Sequence, residues 1–376
     1  MHIAIIGTRG IPNNYGGFEQ FAQYLSLGLV ERGFQVTVYN SHNHPYQKSE
    51  WNGVEIVHCN NPEDKLSSAG QFIYDFNCIM DTRKKNYDII LQLGYTSSSI
   101  WGKFLPRHKS IITTNMDGFE WKRTKFSRPV RTFLKFAERL AVWNSDYLIA
   151  DSIGMQQYLI KKYNKNPVYI PYGAEVFDAP NVEDVKTTGL EPYNYDMLVA
   201  RLEPENSIEV ILDGVVKSAS TRPFLVIGKY TNEYGQYLMK KFKDWTSIKF
   251  MGGIYDISKL NNLRYYSNVY FHGHTVGGTN PSLLEAMASH ALVSANDNIF
   301  NRSILGDDAY YFNSSTDVAT QIEKLSKLKA DDKIENNTTK IAHQYSWPRI
   351  VDQYVEHFYY IARDSGKTLV PNLTSI

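Results

Sequence analysis

Short apolar segments alternate with amphipathic ones along this chain, and no other feature of the sequence constrains the fold as strongly. Such segments are typical of buried strands, and the stretches between them have helical spacing. In the first half, strands are predicted at 2–6, 35–39, 55–58, 89–92, 110–113, 147–150 and 168–170. In the second half, they are predicted at 196–200, 224–227, 249–250, 269–272 and 292–295. The pattern predicts an α/β protein built on parallel, doubly wound sheets.

The length of the chain indicates more than one domain. It has 376 residues, which is more than a single hydrophobic core normally supports. The polar stretch from Gly173 to Gly189 is the predicted hinge. We therefore expect one Rossmann-like domain at 1–175 and another at 176–345, facing each other across a central cleft, with a C-terminal helix in 346–376.

Composition excludes several classes of protein. Apolar residues make up 43% of the chain, but no segment is apolar enough to span a membrane, and the first residues read as a strand rather than a signal peptide. Cys59 and Cys78 are expected to be reduced thiols of a cytoplasmic protein. The formal net charge of +1 gives no indication of nucleic-acid binding.

A glycine-rich run, GGTNPSLLEAMA at 277–288, follows the strand predicted at 269–272 and leads into a helix. Glycines let a ligand approach the backbone, and a helix start with free N–H groups binds anions. Glu285 lies about one turn further on, where a carboxylate suits sugar hydroxyls. The run predicts a site for a nucleoside diphosphate sugar, with Gly278, Thr279, Asn280 and Glu285 as donor-binding residues. The alternative is a glycine loop that caps an ordinary helix.

The run resembles the donor-site motif of family 4 retaining glycosyltransferases, which have the GT-B fold. That motif has two glutamates eight positions apart; Glu285 matches the second, and the first falls on Gly277. The resemblance implies that Glu285 binds the ribose hydroxyls of the donor. It also implies that the C-terminal helix crosses back to the first domain.

The loop after the first strand, 7–19, does not fit a nicotinamide cofactor, because its glycines are wrongly spaced for a dinucleotide and the second strand ends without an acidic residue. Gly16 and Gly17 instead suit backbone approach to a phosphate or sugar. Arg9 either reaches the cleft or is a solvated loop arginine. The run resembles a family 4 subgroup that includes bacterial polysaccharide rhamnosyltransferases.

Arg201 follows a strand of the second half and can bind diphosphate oxygens with both arms of its guanidinium. Its alternative is a surface ion pair with Glu203 or Glu205. The family places a lysine five residues later, where this chain has Asn206, and Lys229 is the candidate replacement. We also expect Arg201 to stabilise the leaving diphosphate.

No D-x-D sequence is present, so we expect no bound metal and no cofactor apart from the nucleoside diphosphate sugar as co-substrate. His42 and His44 read as loop histidines. His272 and His274 directly precede the glycine-rich run, and one of them, for which we take His274, is expected to hydrogen-bond the donor.

The run 115–123 also resembles the rhamnosyltransferase-containing subgroup. Asp117 or Glu120 is the candidate for orienting an acceptor hydroxyl or acting as a base, whereas a helix-capping role is the alternative for Asp117. Residues 120–139 carry seven basic and two acidic side chains among interleaved apolar ones, which predicts contact of 120–140 with an anionic membrane. A solvated helix face is the alternative.

The resemblance implies transfer of a sugar with retention, best matched by L-rhamnose from dTDP-rhamnose, onto a lipid-linked or growing surface glycan. Two other functions stay open. One is another GT-B nucleotide-sugar enzyme such as an epimerase, and the other is a sugar-nucleotide-binding protein without catalysis. The expected location is the cytoplasm, with peripheral binding to the inner face of the plasma membrane.

Overall fold

Parallel strand pairing organises both halves of the chain in the computed structural model, which describes residues 1–14, 16–123, 126–329 and 331–366. The first sheet contains β1 (His2–Ile6), β2 (Gln35–Ser41), β3 (Glu50–Trp51), β4 (Val54–Cys59), β5 (Ile89–Leu93), β6 (Ile111–Asn115), β7 (Tyr147–Ala150) and β8 (Val168–Tyr169). Their order is β3-β4-β2-β1-β5-β6-β7-β8, and only β3 runs antiparallel to its neighbour.

Helices connect these strands. They are α1 (Gly17–Glu31), α2 (Glu63–Leu66), α3 (Ser68–Thr82), α4 (Arg128–Asn144) and α5 (Ile153–Tyr163), with 3₁₀ turns at Ser98–Phe104 and Glu120–Lys122. The buried residues of β1 are all aliphatic, and those of β5 are aliphatic apart from Gln92, as expected for parallel strands that are covered on both faces.

The second sheet repeats this plan. Its strands are β9 (Asp196–Val199), β10 (Phe224–Ile227), β11 (Ile248–Gly252), β12 (Tyr270–His272), β13 (Val293–Asn296) and β14 (Tyr310–Phe312), in the order β11-β10-β9-β12-β13-β14 and all parallel. Its helices are α6 (Glu183–Lys186), α7 (Ile208–Lys217), α8 (Glu233–Lys241), α9 (Ile257–Tyr265), α10 (Pro281–Ala288), α11 (Ile299–Leu305), α12 (Ser315–Lys324) and α13 (Asp331–Lys340). Short 3₁₀ turns lie at Pro204–Asn206 and Lys327–Lys329, and a π turn at Ile341–Tyr345 precedes α14 (Trp347–Asp364).

The chain divides into two compact units. The first comprises 1–121, 128–172 and 347–376, and the second comprises 122–127 and 173–346. The last helix therefore returns to the first unit, as expected. No helix among the described residues has the length and apolar character needed to cross a bilayer.

Helix α14 is held on α1 by close packing. The ring of Trp347 stacks on Tyr24, with centroids 4.5 Å apart and planes 4° from parallel. Gly28 faces Val351, and a Cβ added to this glycine would lie 2.6 Å from Val351 Cγ2. A larger residue at this crossing therefore requires Val351 to shift.

We expect Gly28→Ala to destabilise the first unit although alanine favours helices. The added methyl group should cost on the order of 1–3 kcal/mol by overpacking, more than the ~1 kcal/mol that alanine adds through helix propensity. Val351→Ala should lower the stability of the wild type but restore part of it in the Gly28→Ala variant, because the new methyl group then fills the vacated space. Urea unfolding of the two single variants and the double variant measures this coupling. Additive effects would contradict it.

Candidate functional site

The strand order reverses once in each sheet, and these points locate the candidate site residues. In the second sheet the reversal lies between β9 and β12, and in the first it lies between β1 and β5. Loops that leave neighbouring parallel strands on opposite sides of a sheet open a crevice beyond the carboxyl ends of the strands, where ligands of this architecture bind.

The loops that follow β9, β10 and β12 lie close together. Gly228 follows β10, and a Cβ there would lie 2.0 Å from the carbonyl oxygen of Ala200. Gly273 follows β12, and its Cβ would lie 2.1 Å from the carbonyl oxygen of Asn206. Both glycines are needed for this approach, which brings Arg201 and Lys229 to the same edge of the sheet.

Arg201 is exposed and forms no ion pair with Glu203 or any other carboxylate among the described residues. Lys229 is also exposed, with its Nζ 5.4 Å from the centroid of the Tyr255 ring. Within the part of the chain that the structure describes, the ion-pair alternative for Arg201 is therefore not realised. Two cations stand beyond the ends of adjacent strands, which suits an anion.

Asn206, at the position of the family's lysine, has a structural role. Its side chain is buried, and its Nδ2 donates a hydrogen bond of 2.7 Å to the carbonyl oxygen of Arg201. Asn206 thus fixes the loop that carries Arg201. A lysine at this position would lose this bond. The sequence alone suggests that a cation is missing here, but the structure shows that Asn206 has a role of its own.

The start of α10 corrects one expectation. Asn280 caps the helix, with its Oδ1 accepting from the backbone N–H of Ser282 at 3.0 Å. The N–H groups of Leu283 and Leu284 donate to the carbonyl oxygen of Asn280, and Pro281 has none. The N–H groups of Ser282, Leu283 and Leu284 are therefore already bonded within the start of the helix, which makes the cationic side chains the stronger candidates for binding a phosphate.

Gly277 stands where the motif that the run resembles has its first glutamate. Its φ is +144°, a conformation that favours glycine, and the space around its missing Cβ is open for 4 Å. A glutamate would have room here but would strain the backbone. Gly278 and Thr279, which is buried, complete the turn that leads to Asn280.

Glu285 is paired with an arginine that the sequence did not single out. Its Oε2 lies 2.6 Å from Nη2 of Arg264, whose side chain is fully buried on α9. The Glu285 side chain keeps 20% of its surface exposed. The carboxylate of Glu285 is therefore bound on its buried side by Arg264 and remains accessible on its exposed side.

His272 and His274 stack at a centroid distance of 4.4 Å with their planes 14° apart. Neither ring nitrogen of His272, nor Nδ1 of His274, has a hydrogen-bond partner among the described residues. Burial, with smaller contributions from the charges of Arg201 and Arg123, lowers the pKa of His274 to about 3. Burial also lowers the pKa of His272. Both rings are neutral, so each can donate and accept hydrogen bonds with a hydroxyl-rich ligand.

In the first unit, a buried carboxylate lies at the start of α1. Glu19 accepts hydrogen bonds from the hydroxyl of Thr8 at 3.2 Å and from the backbone N–H of Arg9 at 2.8 Å. A negative charge in this first helical turn opposes phosphate binding. Of the two ligands expected near Gly16 and Gly17, a sugar hydroxyl therefore fits better.

Arg9 forms a two-armed ion pair with Glu63, with bonds of 3.0 Å from Nε and 2.6 Å from Nη2. This hydrogen bonding lowers the pKa of the Glu63 carboxyl. A donor-binding role for Arg9 would require a ligand to share the guanidinium with Glu63, a residue 54 positions away that no motif connects with Arg9.

Asp117 follows β6 with a φ of +51°, so its backbone is in the left-handed region. Its N–H donates to Oδ1 of Asn115 at 3.0 Å. Nearby Tyr95, just after β5, is 1% exposed, and its hydroxyl has no partner among the described residues. Burial and the carboxylates of Glu138 and Glu120 raise the pKa of this hydroxyl, to which Asp117 also contributes. Tyr95 therefore joins the two predicted acceptor-side residues, a grouping that only the fold reveals.

The basic segment 120–140 lies mostly on α4. Glu138, one of its two acids, is fully buried and accepts hydrogen bonds from Trp121, Tyr158, Lys162 and Tyr163. The exposed side chains of this helix are Arg128, Pro129, Val130, Thr132, Lys135, Phe136, Arg139 and Trp143. The exposed face of α4 is therefore basic and aromatic, and it carries no acid.

Among the residues that the structure describes, no three His, Cys, Asp or Glu side chains lie close enough together to hold a metal ion. His42 accepts from the N–H of Asn61, and His44 contacts the carbonyl oxygen of Pro12, so both act within their loop.

Sequence relatives match parts of the chain. Residues 1–175 match the family model described as a domain of unknown function, DUF1972. An uncharacterized 42.6 kDa protein from the cps region of Klebsiella pneumoniae is 29% identical over 140 residues. That match covers 31% of this chain and 37% of the relative.

Solved structures match nearly the whole chain. Sucrose-phosphate synthase from Thermosynechococcus elongatus is 15% identical with a TM-score of 0.80, covering 96% of this chain and 99% of that one. Anabaena Alr3699/HepE, in complex with UDP and glucose, is 16% identical with a TM-score of 0.73 and covers 96% and 99%. The α,α-trehalose 6-phosphate synthase of Burkholderia multivorans is 12% identical with a TM-score of 0.72 and covers 97% and 99%. These similarities define the fold as GT-B, which confirms the fold class expected from the sequence.

The buried side chain of Asp75, in the first unit, has a pKa in a range that unfolding experiments can reach. Asp75 on α3 is 4% exposed and accepts hydrogen bonds from Ser97, which follows β5, and from Gln71. Burial nevertheless raises the pKa of Asp75 to about 6. The native state therefore holds this proton more tightly than the unfolded chain does.

Because the native pKa of Asp75 is raised, stability from this group is present in acid and is lost as the pH rises from about 4 to about 6. The rise from an ordinary 3.9 to about 6 corresponds to ~3 kcal/mol. Between pH 4 and pH 7, the difference in unfolding free energy between Asp75→Asn and the wild type should shift in favour of the variant by about this amount. Urea unfolding across this range measures the difference, with the exposed Asp64→Asn as control. Parallel curves for wild type and Asp75→Asn would contradict the prediction.

Proposed function

We propose that this protein is a glycosyltransferase that moves a sugar from a nucleoside diphosphate sugar to a hydroxyl group. The observation that carries the proposal is the grouping at the reversal point of the second sheet. There, exposed Arg201, a stacked neutral histidine pair and the braced carboxylate of Glu285 follow neighbouring strands of a GT-B fold. Such a set supplies a cation for a diphosphate and hydrogen-bonding groups for hydroxyls.

In this proposal Arg201 and Lys229 bind the diphosphate, His274 contacts the sugar and Glu285 binds the ribose. Asp117 or Glu120 orients the acceptor. The acceptor oxygen bonds to the anomeric carbon as the carbon–oxygen bond to the diphosphate breaks, and the acceptor proton passes to a diphosphate oxygen on the same face. The configuration is thereby retained. Positioning and stabilisation of the leaving diphosphate supply the acceleration.

The proposed donor is dTDP-rhamnose, and the proposed acceptor is a lipid-linked or growing surface glycan. Support comes from the resemblance of 7–19 and 115–123 to the rhamnosyltransferase-containing subgroup. That the similar Anabaena Alr3699/HepE has been solved with UDP and glucose supports a nucleotide-linked donor in general. The reaction is proposed to need no metal and no further cofactor.

A donor screen tests the proposal. Thermal shift against dTDP-, UDP-, GDP- and ADP-sugars should select one nucleotide, because binding to the native state raises the melting temperature. The selected donor, radiolabelled in its sugar, should yield labelled glycan only with acceptor present, and EDTA should leave the rate unchanged. Conversion of donor without acceptor would indicate an epimerase. Binding without turnover on any acceptor would indicate a binding protein.

Arg201→Ala should lower kcat/KM by about a hundredfold or more, as is typical for the loss of one electrostatic donor. The effect should appear in kcat as well as in KM, because the leaving diphosphate gains charge in the transition state. Arg201→Lys should restore only part of the activity, since it keeps the charge but not the fork. Lys243→Ala, at an exposed cation of the same unit, is the control. Normal kinetics for Arg201→Ala would place the diphosphate elsewhere, first at Lys229.

The same proposal includes peripheral binding to the inner face of the plasma membrane through α4. Its exposed face carries Phe136 at 52% and Trp143 at 53% exposure beside its basic residues. The guanidinium of Arg139 lies 4.1 Å from the centroid of the Trp143 ring. Aromatic side chains among cations suit the headgroup region of an anionic bilayer.

Charge reversal of Arg128, Arg131 and Lys135 to Glu should weaken binding to phosphatidylglycerol-containing vesicles by about a hundredfold or more, since each cation near such a surface contributes ~1 kcal/mol. Co-sedimentation at low and high salt measures this. The control reverses Lys240, Lys243 and Lys249, three exposed lysines of the second unit, and changes the net charge equally. Equal binding of the two triple variants would favour a merely solvated helix face.

A further inference from the structure

Arg264 is a fully buried cation with an incomplete set of partners. It lies on α9, where Leu260 and Leu263 share its buried face. Its Nη2 donates to Oε2 of Glu285 at 2.6 Å, and its Nη1 donates to Oδ1 of Asn261 at 3.0 Å. Its Nε has no partner among the described residues. Burial of a guanidinium is costly unless it is paired, so Glu285 is the main reason why this arginine is tolerated here.

The pair leaves one carboxylate oxygen of Glu285 available. Oε2 is bound by Arg264, whereas Oε1 has no hydrogen-bond partner among the residues that the structure describes. Because the arginine is buried and the glutamate is partly exposed, the ligand-facing member of the pair is the carboxylate. Arg264 fixes the rotamer of this carboxylate and cancels its charge, which would otherwise repel an incoming diphosphate.

We infer that Arg264 is a positioning residue that holds the carboxylate of Glu285 in place for the nucleotide portion of the donor. This inference rests on the proposed function. It assigns to Arg264 no direct contact with the ligand, and all of its effect on binding passes through Glu285.

A double-mutant cycle tests this dependence. Arg264→Met keeps much of the side-chain volume without the charge, and Glu285→Gln keeps the shape without the charge. Calorimetry with dTDP and UDP should show that Arg264→Met weakens nucleotide affinity by more than tenfold in the wild-type background and little in the Glu285→Gln background. With the full donor, Arg264→Met should raise KM while kcat stays near its wild-type value, since the nucleotide does not react.

Arg222→Met is the matched control. Arg222 Nε pairs with buried Asp196 at 2.8 Å in the same unit, but Asp196 begins β9 and so lies at the amino ends of the strands. This variant should lose stability and keep its nucleotide affinity. An equal loss of affinity upon Arg264→Met in both Glu285 backgrounds would overturn the inference, because the arginine would then act through general packing.

The two proposals can fail separately. A wild type that binds neither dTDP, UDP nor any nucleotide sugar contradicts the proposed function. The free energies of unfolding of the wild type, Arg264→Met, Glu285→Gln and the double variant then test whether Arg264 braces Glu285. Strong coupling between the two substitutions would uphold the bracing of Glu285 and remove only its nucleotide role, whereas additive losses would overturn the bracing as well.

Discussion

The pairing of β12 with β9 is the constraint on which the second unit depends. After β9 the chain adds β10 and β11 on one side, and it then returns to place β12 on the other side, with Tyr270 opposite Met197. Because β9 and β12 are adjacent, the loops that follow them meet beyond the carboxyl ends of the strands, where Gly273 approaches the carbonyl oxygen of Asn206. Arg201 and Glu285, which are distant in sequence, share one edge of the sheet for this reason.

Charge at this edge is arranged by depth. Exposed cations stand at the surface, the histidine pair lies beneath the loop, and Arg264 is buried behind the carboxylate that it neutralises. Burial keeps both histidines uncharged at any pH near neutrality, with the pKa of His274 at about 3. Hydrogen bonding by these rings therefore does not titrate in the physiological range, unlike that of an ordinary solvent-exposed histidine.

The sequence predicts most of this architecture because its signals are local. Apolar segments mark most of the strands, whereas β3 (Glu50–Trp51) and β14 (Tyr310–Phe312) are not detected, because neither contains an aliphatic residue. The glycine-rich run was found because its residues are contiguous. The ion pair of Arg9 with Glu63 joins residues 54 apart, and that of Arg264 with Glu285 joins residues 21 apart, so neither follows from a pattern. One feature of the sequence does point to Arg264. It lies four positions after Leu260, so a charged residue falls on the apolar face of the helix.

The buried carboxylate of Glu138 has a mechanical consequence. It joins α4 to Trp121 and to three residues of α5, so four side chains from two other elements donate hydrogen bonds to this one carboxylate. Helix α4 cannot roll or lift without breaking these bonds. A force on its outer face is therefore transmitted to the turn that contains Glu120, and the orientation of the helix on a surface also sets the orientation of that turn.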